Sequence, residues 1–472
     1  MNLSRRRFLT TTAGAATAGT MLFDRLAAAG QDPPSDGAEL PKPTPTQLAW
    51  QDAELGLLYC YELHVFNPAR YGQSVARKTK LDLDLFNPAR LDTDQWMEGA
   101  VAMGAKFAIL TASHESGFRL WQSDANPFSL KSTRWGGGTR DVVGEFVESC
   151  RRAGIKPGIY LGTRWNAHLE VLDHKVNLGR GGDDAKQAAY ARLIEREVTE
   201  ICTRYGELFE LWFDGGGYTP DKGGPDVLPI FDKHQPGCIF YHNEQRSDVR
   251  WGGSESGMVG YPCWATVPWK AHVAHRNAPG WMATLRTGDP EGKYWCPAMA
   301  DAPLRNHEWF WEPGDERKIY SLDRLTQMYY NSVGRNATLI LGATPDTDGR
   351  MPEADTRRMQ EFGDRIRRRF GNLAGETSGE GPAVELALDR PQRIDHVVIM
   401  EDVVRGERVR AYQVEGLVPG GQWQKLCEGI SIGHKRIQPV APVEVAGVRL
   451  RVSQSVATPQ IRRLAVYAPE PA

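Results

Sequence analysis

Apolar and polar residues alternate regularly between about residue 55 and residue 349. Short apolar segments, which are typical of buried strands, are followed by polar loops and by stretches with apolar residues at helical spacing. The pattern predicts strands at residues 55–61, 106–111, 156–161, 209–213, 238–241 and 337–341, and helices at 96–103, 141–153, 185–205 and 353–370. Because strands that alternate with helices favour parallel pairing, we predict an α/β fold in which residues 47–370 form a (β/α)8-like TIM barrel.

Two later segments depart from this pattern. Residues 251–313 are rich in Trp, Gly and Pro, and we predict that they form long loops around the open end of the barrel. From residue 384 the apolar spacing changes to two, in segments at 384–388, 396–400, 409–415 and 448–452. This spacing predicts a C-terminal β-sandwich at residues 383–469, which a linker at 371–382 joins to the barrel. The sandwich either binds sugar or braces the barrel.

The N-terminus has the composition of an export signal. A basic segment, Ser4-Arg5-Arg6-Arg7-Phe8-Leu9, precedes a weakly apolar stretch, and three alanines at residues 27–29 offer a cleavage site. Paired arginines before Phe-Leu are typical of the twin-arginine type. We therefore expect a signal peptide at 1–29, a linker at 30–46 and a periplasmic or secreted protein; a basic tail without this role is the alternative. No later apolar run reaches the roughly 18 residues of a membrane span, so no stable membrane insertion is expected.

Composition narrows the class of partner. The formal net charge is −2, with no long run of one sign, which argues against nucleic acid as a partner. The 14 Trp and 15 Tyr favour a carbohydrate ligand, because aromatic faces stack on the apolar faces of sugar rings. The 7 cysteines are widely spread and include no C-x-x-C pair, so a zinc or iron–sulfur site is not expected.

A carboxylate stands where the strand at residues 209–213 ends. Asp214 follows that strand directly, and three glycines follow Asp214. Glycine adopts positive φ freely, so the backbone can turn away and leave Asp214 facing open space at the carboxyl end of a barrel strand. Reactive side chains collect at that end in barrel enzymes. An ordinary turn is the alternative, because Asp-Gly is also common turn chemistry.

Glycoside hydrolysis requires a second carboxyl group, supplied from another loop at the same barrel end. Two glutamates satisfy this condition. Glu244 follows the predicted strand at 238–241, and Glu255 lies beside Trp251 in a loop bracketed by glycines. Either glutamate could instead be a solvated loop carboxylate. The residues alone therefore predict a carboxyl pair and leave its second member open.

Several motifs together resemble the α-L-fucosidases of glycoside hydrolase family 29, from about residue 53 to residue 467. The segment at 211–215 resembles the nucleophile strand of the family, and the segment at 248–257 resembles its acid/base loop. Further similar segments lie at residues 111–118, 160–168, 332–336, 345–349 and 432–436. The resemblance implies a retaining exo-glycosidase without metal or cofactor. Asp214 would be its nucleophile and Glu255 its acid/base, with Glu244 as second choice.

Differences from the family fall where the sugar is expected. Cys60 stands in place of a histidine that ends the first strand, and Glu115 in place of the second histidine of a pair. Ser116 replaces an acidic residue, whereas His114 matches the family. A site built to hydrogen-bond a sugar discriminates strongly once a partner is lost, so the specificity is expected to differ. The complete set of expected sugar contacts is Cys60, His114, Glu115, Trp165, His168, Arg305 and Trp309.

These observations support one leading interpretation and two alternatives. The leading interpretation is an exported retaining exo-glycosidase that hydrolyses terminal α-L-fucosyl residues of an oligosaccharide or glycoconjugate. The first alternative has the same mechanism with another sugar, such as an α-L-galactoside, because of Cys60 and Glu115. The second is a sugar-binding protein with little turnover, against which the paired Asp214 and Glu255 argue.

Overall fold

The computed structural model describes residues 39–67, 77–306 and 309–470. The expected signal peptide at residues 1–29, and the expected linker up to residue 38, lie outside the described residues. None of the helices in the described part of the chain is long and apolar enough to cross a membrane. The structure describes all seven cysteines, and each is a free thiol.

Eight strands of the described chain form one parallel sheet: β1 Leu55–Tyr59, β2 Phe107–Ser113, β3 Lys156–Leu161, β4 Glu210–Gly217, β5 Ile239–Asn243, β6 Arg250–Trp251, β7 Ala298–Pro303 and β8 Ala337–Ala343. Their order across the sheet is β5-β4-β3-β2-β1-β8-β7-β6. The edge strands β5 and β6 are consecutive in the chain, and the backbone N–H of Asp248 donates to the carbonyl of Phe240 on β5 at 3.2 Å. The sheet therefore nearly closes, and the predicted (β/α)8-like barrel is confirmed.

Helices surround the barrel and close one of its ends: α1 Pro45–Ala53, α2 Thr93–Met103, α3 Val142–Arg152, α4 Asp184–Arg204, α5 Leu228–His234, α6 Trp281–Thr287, α7 Leu322–Tyr330 and α8 Glu353–Gly371. The apolar face of α3, which includes Val143, Phe146 and Val147, is buried, and α3 packs against β2 and β3. Asp141 begins this helix by accepting a hydrogen bond from the backbone N–H of Gly144 (3.0 Å). The four helices predicted from the sequence are confirmed as α2, α3, α4 and α8.

Side chains along the barrel strands alternate between the barrel interior and the layer under the helices. Leu58, Ile109 and Tyr160 belong to the interior cluster, together with Trp50 of α1. Trp50 is fully buried, and its indole N–H donates to Oε2 of Glu210, the first residue of β4 (2.9 Å). Helix α1 thus closes the end of the barrel where the strands begin, which leaves the carboxyl ends of the strands as the open end.

The prediction that residues 251–313 form only loops is wrong. Strand β7 and helix α6 lie within this segment, and β6 ends at its first residue. Strand β6 has 2 residues, and β7 reads Ala-Met-Ala-Asp-Ala-Pro without a β-branched side chain, so strand propensity identifies neither. Barrel closure forms these strands, because β7 pairs with both β8 and β6.

The C-terminal domain is one antiparallel sheet with six strands in the described chain: β9 Leu373–Glu380, β10 Ala383–Glu401, β11 Val409–Val418, β12 Gln422–Gly429, β13 Arg436–Ser455 and β14 Gln460–Tyr467. Their order is β9-β14-β10-β13-β11-β12. Strands β10 and β13 are 19 and 20 residues long and pair with register shifts. The sheet carries its own core, which includes Val397, Val414, Val448 and Leu464.

The linker predicted at residues 371–382 is also wrong, because most of it is β9, which pairs with β14 at the edge of this sheet. Nearly all side chains of β9 are exposed or half-buried, as is common at a sheet edge. The strand therefore lacks the apolar alternation by which sequence patterns identify strands.

Candidate active site

A cavity opens at the carboxyl ends of the barrel strands. Its walls are formed by Leu58, Cys60, Thr111, His114, Tyr160, Trp212, Asp214, Glu255, Asp301, Trp309 and Phe310. Parallel strands bring their carboxyl ends to one face of a barrel, so side chains far apart in the sequence meet there. The cavity brings together five residues expected from the sequence: Cys60, His114, Asp214, Glu255 and Trp309.

Strand β4 presents Asp214 to this cavity because the backbone turns sharply after it. Gly215 and Gly216 have φ of +71° and +77°, a conformation that side chains with a Cβ rarely adopt. A Cβ at Gly215 would also collide with the side chain of Arg164, which packs across this turn. Asp214 is half-buried. The expectation that the strand ends at Asp214 is wrong, because β4 continues to Gly217, but the glycines do turn the backbone beside this carboxylate.

The loop after β6 carries Glu255 to the rim of the same cavity. Gly253 and Gly257 have φ of +84° and +68°, so the loop turns on both sides of Glu255. The hydroxyls of Ser254 and Ser256 lie 2.8 Å apart and form a hydrogen bond across its base. Glu255 itself is exposed, which suits a group that must meet both a leaving group and water.

A third carboxyl group, which sequence reasoning missed, lies in the cavity on β7. Asp301 is buried, and its Oδ1 accepts a hydrogen bond from the indole N–H of Trp251 (2.8 Å). Burial, together with the nearby carboxyls of Glu255 and Asp214, raises the pKa of Asp301 to about 8. The sequence offers one indication of this strand: Met299 and Asp301 are spaced two residues apart in an otherwise alanine-rich segment.

Aromatic rings form most of the remaining wall. The ring of His114 stacks on Tyr160, with centroids 5.5 Å apart, and lies 4.8 Å from the ring of Phe310. Burial lowers the pKa of His114 to about 4, so its imidazole is neutral at physiological pH. Burial, and then the charge of Asp214, raise the pKa of Tyr160 well above its usual value. Both side chains are therefore neutral hydrogen-bonding groups.

Two buried ring nitrogen atoms in the cavity wall lack a hydrogen-bond partner within the described residues. They are Nε1 of Trp212 and Nδ1 of His114. Buried polar atoms are almost always hydrogen-bonded in native proteins, so unpartnered ones in a cavity indicate a ligand or water that completes them. Sugar hydroxyls both donate and accept hydrogen bonds and fit these atoms.

Cys60, which replaces a family histidine, supplies a weaker group to the cavity. Burial raises the pKa of its thiol well above the usual value, and the neighbouring Glu255 carboxyl adds to this shift. Cys60 is therefore a neutral thiol, a small and mostly apolar group with weak hydrogen-bonding capacity.

Glu115 and Trp165 lie behind the cavity wall rather than in it, and Arg77 connects them. The Nε of Arg77 is 2.7 Å from Oε1 of Glu115, and its guanidinium lies 4.1 Å from the centroid of the Trp165 ring. Arg164 lies 4.4 Å from the same ring. Burial raises the pKa of Glu115 to about 7, against the opposing effect of Arg77. Neither predicted sugar contact lines the cavity.

Two other predicted residues have partners elsewhere in the described structure. His168 stacks on Phe128 at 3.9 Å, and neither ring lines the cavity. Arg305 is fully buried, with Nε 2.9 Å from Oδ1 of Asp355 and Nη1 paired with Asp315, so its guanidinium braces the fold instead of a sugar.

Glu244, the second-choice acid/base, is a buried carboxylate that forms ion pairs with two partly exposed cations. Its oxygens lie 2.7 Å from Nζ of Lys222 and 2.6 Å from Nη2 of Arg276. The carboxylate does not line the cavity, and both of its oxygens are engaged by cations. The geometry therefore favours Glu255 over Glu244 for proton transfer.

Ser116 belongs to a buried cluster around the carboxylate of Glu62. The carboxylate of Glu62 accepts hydrogen bonds from the hydroxyl of Ser116 and from the backbone N–H of Leu63 (2.9 Å), and its Oε1 lies 2.6 Å from Nδ1 of His64. Although burial opposes ionisation, His64 lowers the pKa of Glu62 below its usual value. A carboxylate thus lies against Ser116, but it comes from the loop after β1.

In residues 39–67, 77–306 and 309–470, no three His, Cys, Asp or Glu side chains converge in the manner of a metal site.

Comparison with known proteins gives consistent matches over nearly the whole chain. The family model described as Alpha-L-fucosidase matches residues 50–369. Alpha-L-fucosidase 1 of Arabidopsis thaliana is 28% identical over 471 residues, which cover 91% of this chain and 88% of that protein. A rice protein provisionally named alpha-L-fucosidase 1 is 31% identical over 470 residues, which cover 91% of this chain and 85% of that protein.

Solved structures agree with these matches. A protein from Bacteroides thetaiotaomicron, provisionally described as an alpha-L-fucosidase, is 49% identical with a TM-score of 0.88, covering 91% of this chain and 100% of that one. A Ruminococcus gnavus GH29 fucosidase, solved in complex with fucose, is 22% identical with a TM-score of 0.79, covering 93% of this chain and 97% of that one. The second likeness supports the fold alone.

Proposed function

The chain belongs to the alpha-L-fucosidase family, and we propose that it is a retaining exo-glycosidase that removes terminal α-L-fucosyl residues from an oligosaccharide or glycoconjugate. As a member of this family it is a glycoside hydrolase. One observation carries the finer proposal: Asp214 and Glu255, which come from different strand ends, line a single cavity at the open end of the barrel. Retaining hydrolysis requires two carboxyls that meet across one sugar.

In the first step of the proposed mechanism, the carboxylate of Asp214 attacks the anomeric carbon of the sugar. The bond between that carbon and the leaving oxygen breaks, and Glu255 transfers its proton to the oxygen. The products are the free leaving-group alcohol and a sugar covalently attached to Asp214. Asp214 suits the nucleophile because it is half-buried within β4, whereas Glu255 is exposed at the rim where the leaving group departs.

In the second step, the Glu255 carboxylate removes a proton from a water molecule. The resulting hydroxide attacks the anomeric carbon, and the bond to Asp214 breaks. Both carboxyls return to their initial protonation states, and two inversions give net retention. No other group needs to gain or lose a proton in either step.

The remaining residues of the cavity would hold the ring. Nε1 of Trp212 and the neutral imidazole of His114 offer hydrogen-bonding atoms without protein partners in the described chain. Trp309 and Phe310 supply flat apolar surface. Fucose is a 6-deoxy sugar whose methyl group and apolar ring face match such a surface.

An α-L-galactoside is the second candidate substrate, because it differs from the fucoside by one hydroxyl on C6. The observation that favours it is Cys60, which replaces a family histidine within the cavity itself. Glu115, the other replacement, lies outside the cavity wall and gives this alternative little support.

The test is hydrolysis of aryl α-L-fucoside and aryl α-L-galactoside in parallel, with the first-formed anomer of the product followed by proton NMR. We expect faster turnover of the fucoside, with the α anomer formed first. Faster turnover of the galactoside would show that the second candidate is the substrate. If the β anomer formed first, the enzyme would invert and not retain the configuration. If no aryl sugar were hydrolysed, a sugar-binding protein would be the better interpretation.

We further propose that the protein is exported through a twin-arginine-type signal, on the basis of the segment Ser4-Arg5-Arg6-Arg7-Phe8-Leu9. The matched variant replaces Arg5 and Arg6 with lysine, which keeps the charge. Cell fractionation of a bacterial host should find the original chain in the periplasm or medium and the double variant in the cytoplasm. Export of both to the same extent would contradict this proposal.

A further inference from the structure

The proposed mechanism uses two carboxyl groups, but the cavity contains a third. Asp301 lies two residues after Met299 on β7, so the two side chains point to the same side of the strand. Met299 packs in the interior cluster, and Asp301 therefore points to the barrel interior. It lines the same cavity as Asp214 and Glu255. Nothing in the two-step mechanism assigns it a task.

Asp301 contacts both ends of the loop that carries Glu255. Its Oδ1 accepts a hydrogen bond from the indole N–H of Trp251, four residues before Glu255 (2.8 Å). Its backbone carbonyl accepts one from the N–H of Gly257, two residues after Glu255 (2.8 Å). Gly257 has positive φ, so this second contact fixes the turn by which the loop leaves the cavity. One residue thus bridges the loop on either side of the proposed acid/base.

The charges around Asp301 are unfavourable for a carboxylate. Glu255 from the loop after β6 and Asp214 from β4 both face it, and the hydroxyl of Tyr241 on β5 also interacts with it. Among the described residues, no Lys, Arg or His forms an ion pair with Asp301. A buried carboxyl with acidic neighbours and no cation retains its proton, because ionisation would cost both desolvation and repulsion.

We propose that Asp301 is a positioning residue that, while it holds a proton, keeps the Glu255 loop in its productive orientation, and that its ionisation sets the alkaline limit of activity. The protonated group adds no charge beside the two catalytic carboxyls and still accepts the Trp251 N–H. The ionised group repels the Glu255 carboxyl and displaces its loop from the productive orientation, so the leaving group receives its proton less readily. This inference rests on the proposed retaining mechanism.

The kinetic test compares the wild-type enzyme with Asp301→Asn, Asp301→Ala and the control Asp323→Asn on an aryl α-L-fucoside, from about pH 5 to about pH 10. The side chain of Asp323 on α7 is 90% exposed, so Asp323→Asn makes the same chemical change at a position remote from the cavity. We expect wild type and the control to lose kcat/KM with a midpoint near pH 8, the value to which the pKa of Asp301 is raised. Asp301→Asn should lack this decline, because it stays uncharged.

The two variants at position 301 also separate positioning from folding. Asp301→Ala removes the acceptor of the Trp251 indole and should lower kcat more than about tenfold with little change in KM, as a displaced acid/base would. Asp301→Asn keeps an acceptor oxygen and should restore part of that loss. Thermal unfolding of both variants at pH 6 checks that they fold.

A readout independent of activity is the infrared carbonyl band of a protonated carboxyl group, recorded at pH 7 as the difference between wild type and Asp301→Asn. The band should be present in wild type and absent from the variant. An unchanged alkaline decline in Asp301→Asn, or no such band, overturns the inference. No turnover by wild type would instead refute the proposed function, so the two failures are distinguishable.

Discussion

At the scale of single residues, the proposed chemistry depends on the backbone turn within β4 that follows Asp214. Asp214 reaches the cavity because Gly215 and Gly216 take positive φ and Arg164 packs where a side chain at 215 would lie. The carboxylate is thereby fixed beside Tyr160 and His114, which are both uncharged. A nucleophile held in this way has little freedom to move when it attacks, which is the source of its effectiveness.

The first prediction concerns Asp214→Asn. An amide of the same shape cannot form the glycosyl ester, so kcat on aryl α-L-fucoside should fall by at least about a thousandfold with the fold intact. The measurement is steady-state kinetics with thermal unfolding of the same samples, and Asp323→Asn is the matched control. Activity within a few-fold of wild type would mean that another group is the nucleophile.

The second prediction separates Glu255 from Glu244. Glu255→Ala should lower kcat by a factor of roughly 10²–10⁴ on a substrate with a poor leaving group, because proton transfer is lost. The decrease in kcat should be much smaller with an activated aryl fucoside, whose leaving group needs little protonation. Added azide should restore turnover of the activated substrate and give a glycosyl azide. Glu244→Gln breaks the ion pairs to Lys222 and Arg276, so its main effect should be on thermal stability and not on kcat. If Glu244→Gln shows the azide rescue and Glu255→Ala does not, their roles are exchanged.

Sequence reasoning located some of these residues and missed others for identifiable reasons. Asp214, Glu255, Cys60 and His114 were found because each follows a strand or lies in a motif, and all four line the cavity. Glu244 also follows a strand, and only the folded chain shows that its oxygens are bound by cations.

Asp301, Tyr160 and Phe310 were not among the expected site residues. Tyr160 lay in a predicted strand that correctly ends at Leu161, but a tyrosine within a strand is ordinary core material. Asp301 lies in a strand whose alanine-rich sequence carries no strand signal, and Phe310 lies in the segment predicted to form rim loops. Local sequence patterns therefore do not distinguish these three residues from ordinary core and loop positions.

At the scale of elements, helix α1 contributes to the barrel core, which its sequence pattern does not predict. Thr44 begins it through a capping box with Gln47, and Trp50 enters the closed end of the barrel. There the Trp50 indole donates to Glu210, a fully buried carboxyl whose pKa burial raises to about 8. A helix outside the barrel repeat therefore supplies part of the barrel core.

The third prediction follows from Glu210. Its pKa in the folded chain, about 8, lies above the usual glutamate value of 4.5, so the folded state binds a proton that the unfolded state releases. The stability that this proton contributes is complete below about pH 4.5 and is lost as the pH rises to about 8.

Glu210→Gln keeps an oxygen that can accept from Trp50 and removes the titration. The melting temperature of wild type should fall more steeply than that of Glu210→Gln between pH 5 and pH 8, as measured by calorimetry. Surface titrations are shared by both proteins and cancel in the difference. Parallel curves would show that Glu210 is already ionised in the folded state.

At the scale of the whole molecule, the C-terminal sheet is attached to the barrel through buried polar contacts. Asn336, which precedes β8, has a φ of 64° and donates to the carbonyl of Cys263 (2.9 Å) while accepting from the backbone N–H of His434 (2.7 Å). It also donates to Glu407, whose carboxylate accepts from the backbone N–H of Ala265 (2.9 Å). This network favours bracing of the barrel as the role of the domain.

The fourth prediction tests that role. Asn336→Ala leaves several buried groups without partners and places alanine in a left-handed conformation, so the free energy of unfolding should fall by about 2–5 kcal/mol. Denaturant unfolding measures the loss, with Gln424→Ala on exposed β12 as the control. KM for an aryl fucoside should change little. A large rise in KM without loss of stability would instead indicate a part in sugar binding.

The two-carboxyl arrangement across one sugar is tested most directly by trapping the glycosyl-enzyme. The enzyme is incubated with 2-deoxy-2-fluoro-α-L-fucosyl fluoride, in which the fluorine slows both steps and the good leaving group lets the first proceed. Mass spectrometry of the peptides should find one added fluorofucosyl group on the peptide that contains Asp214, and none in Asp214→Asn. An adduct on another residue, or turnover of a natural α-L-fucoside with inversion and no adduct, would contradict the assignment.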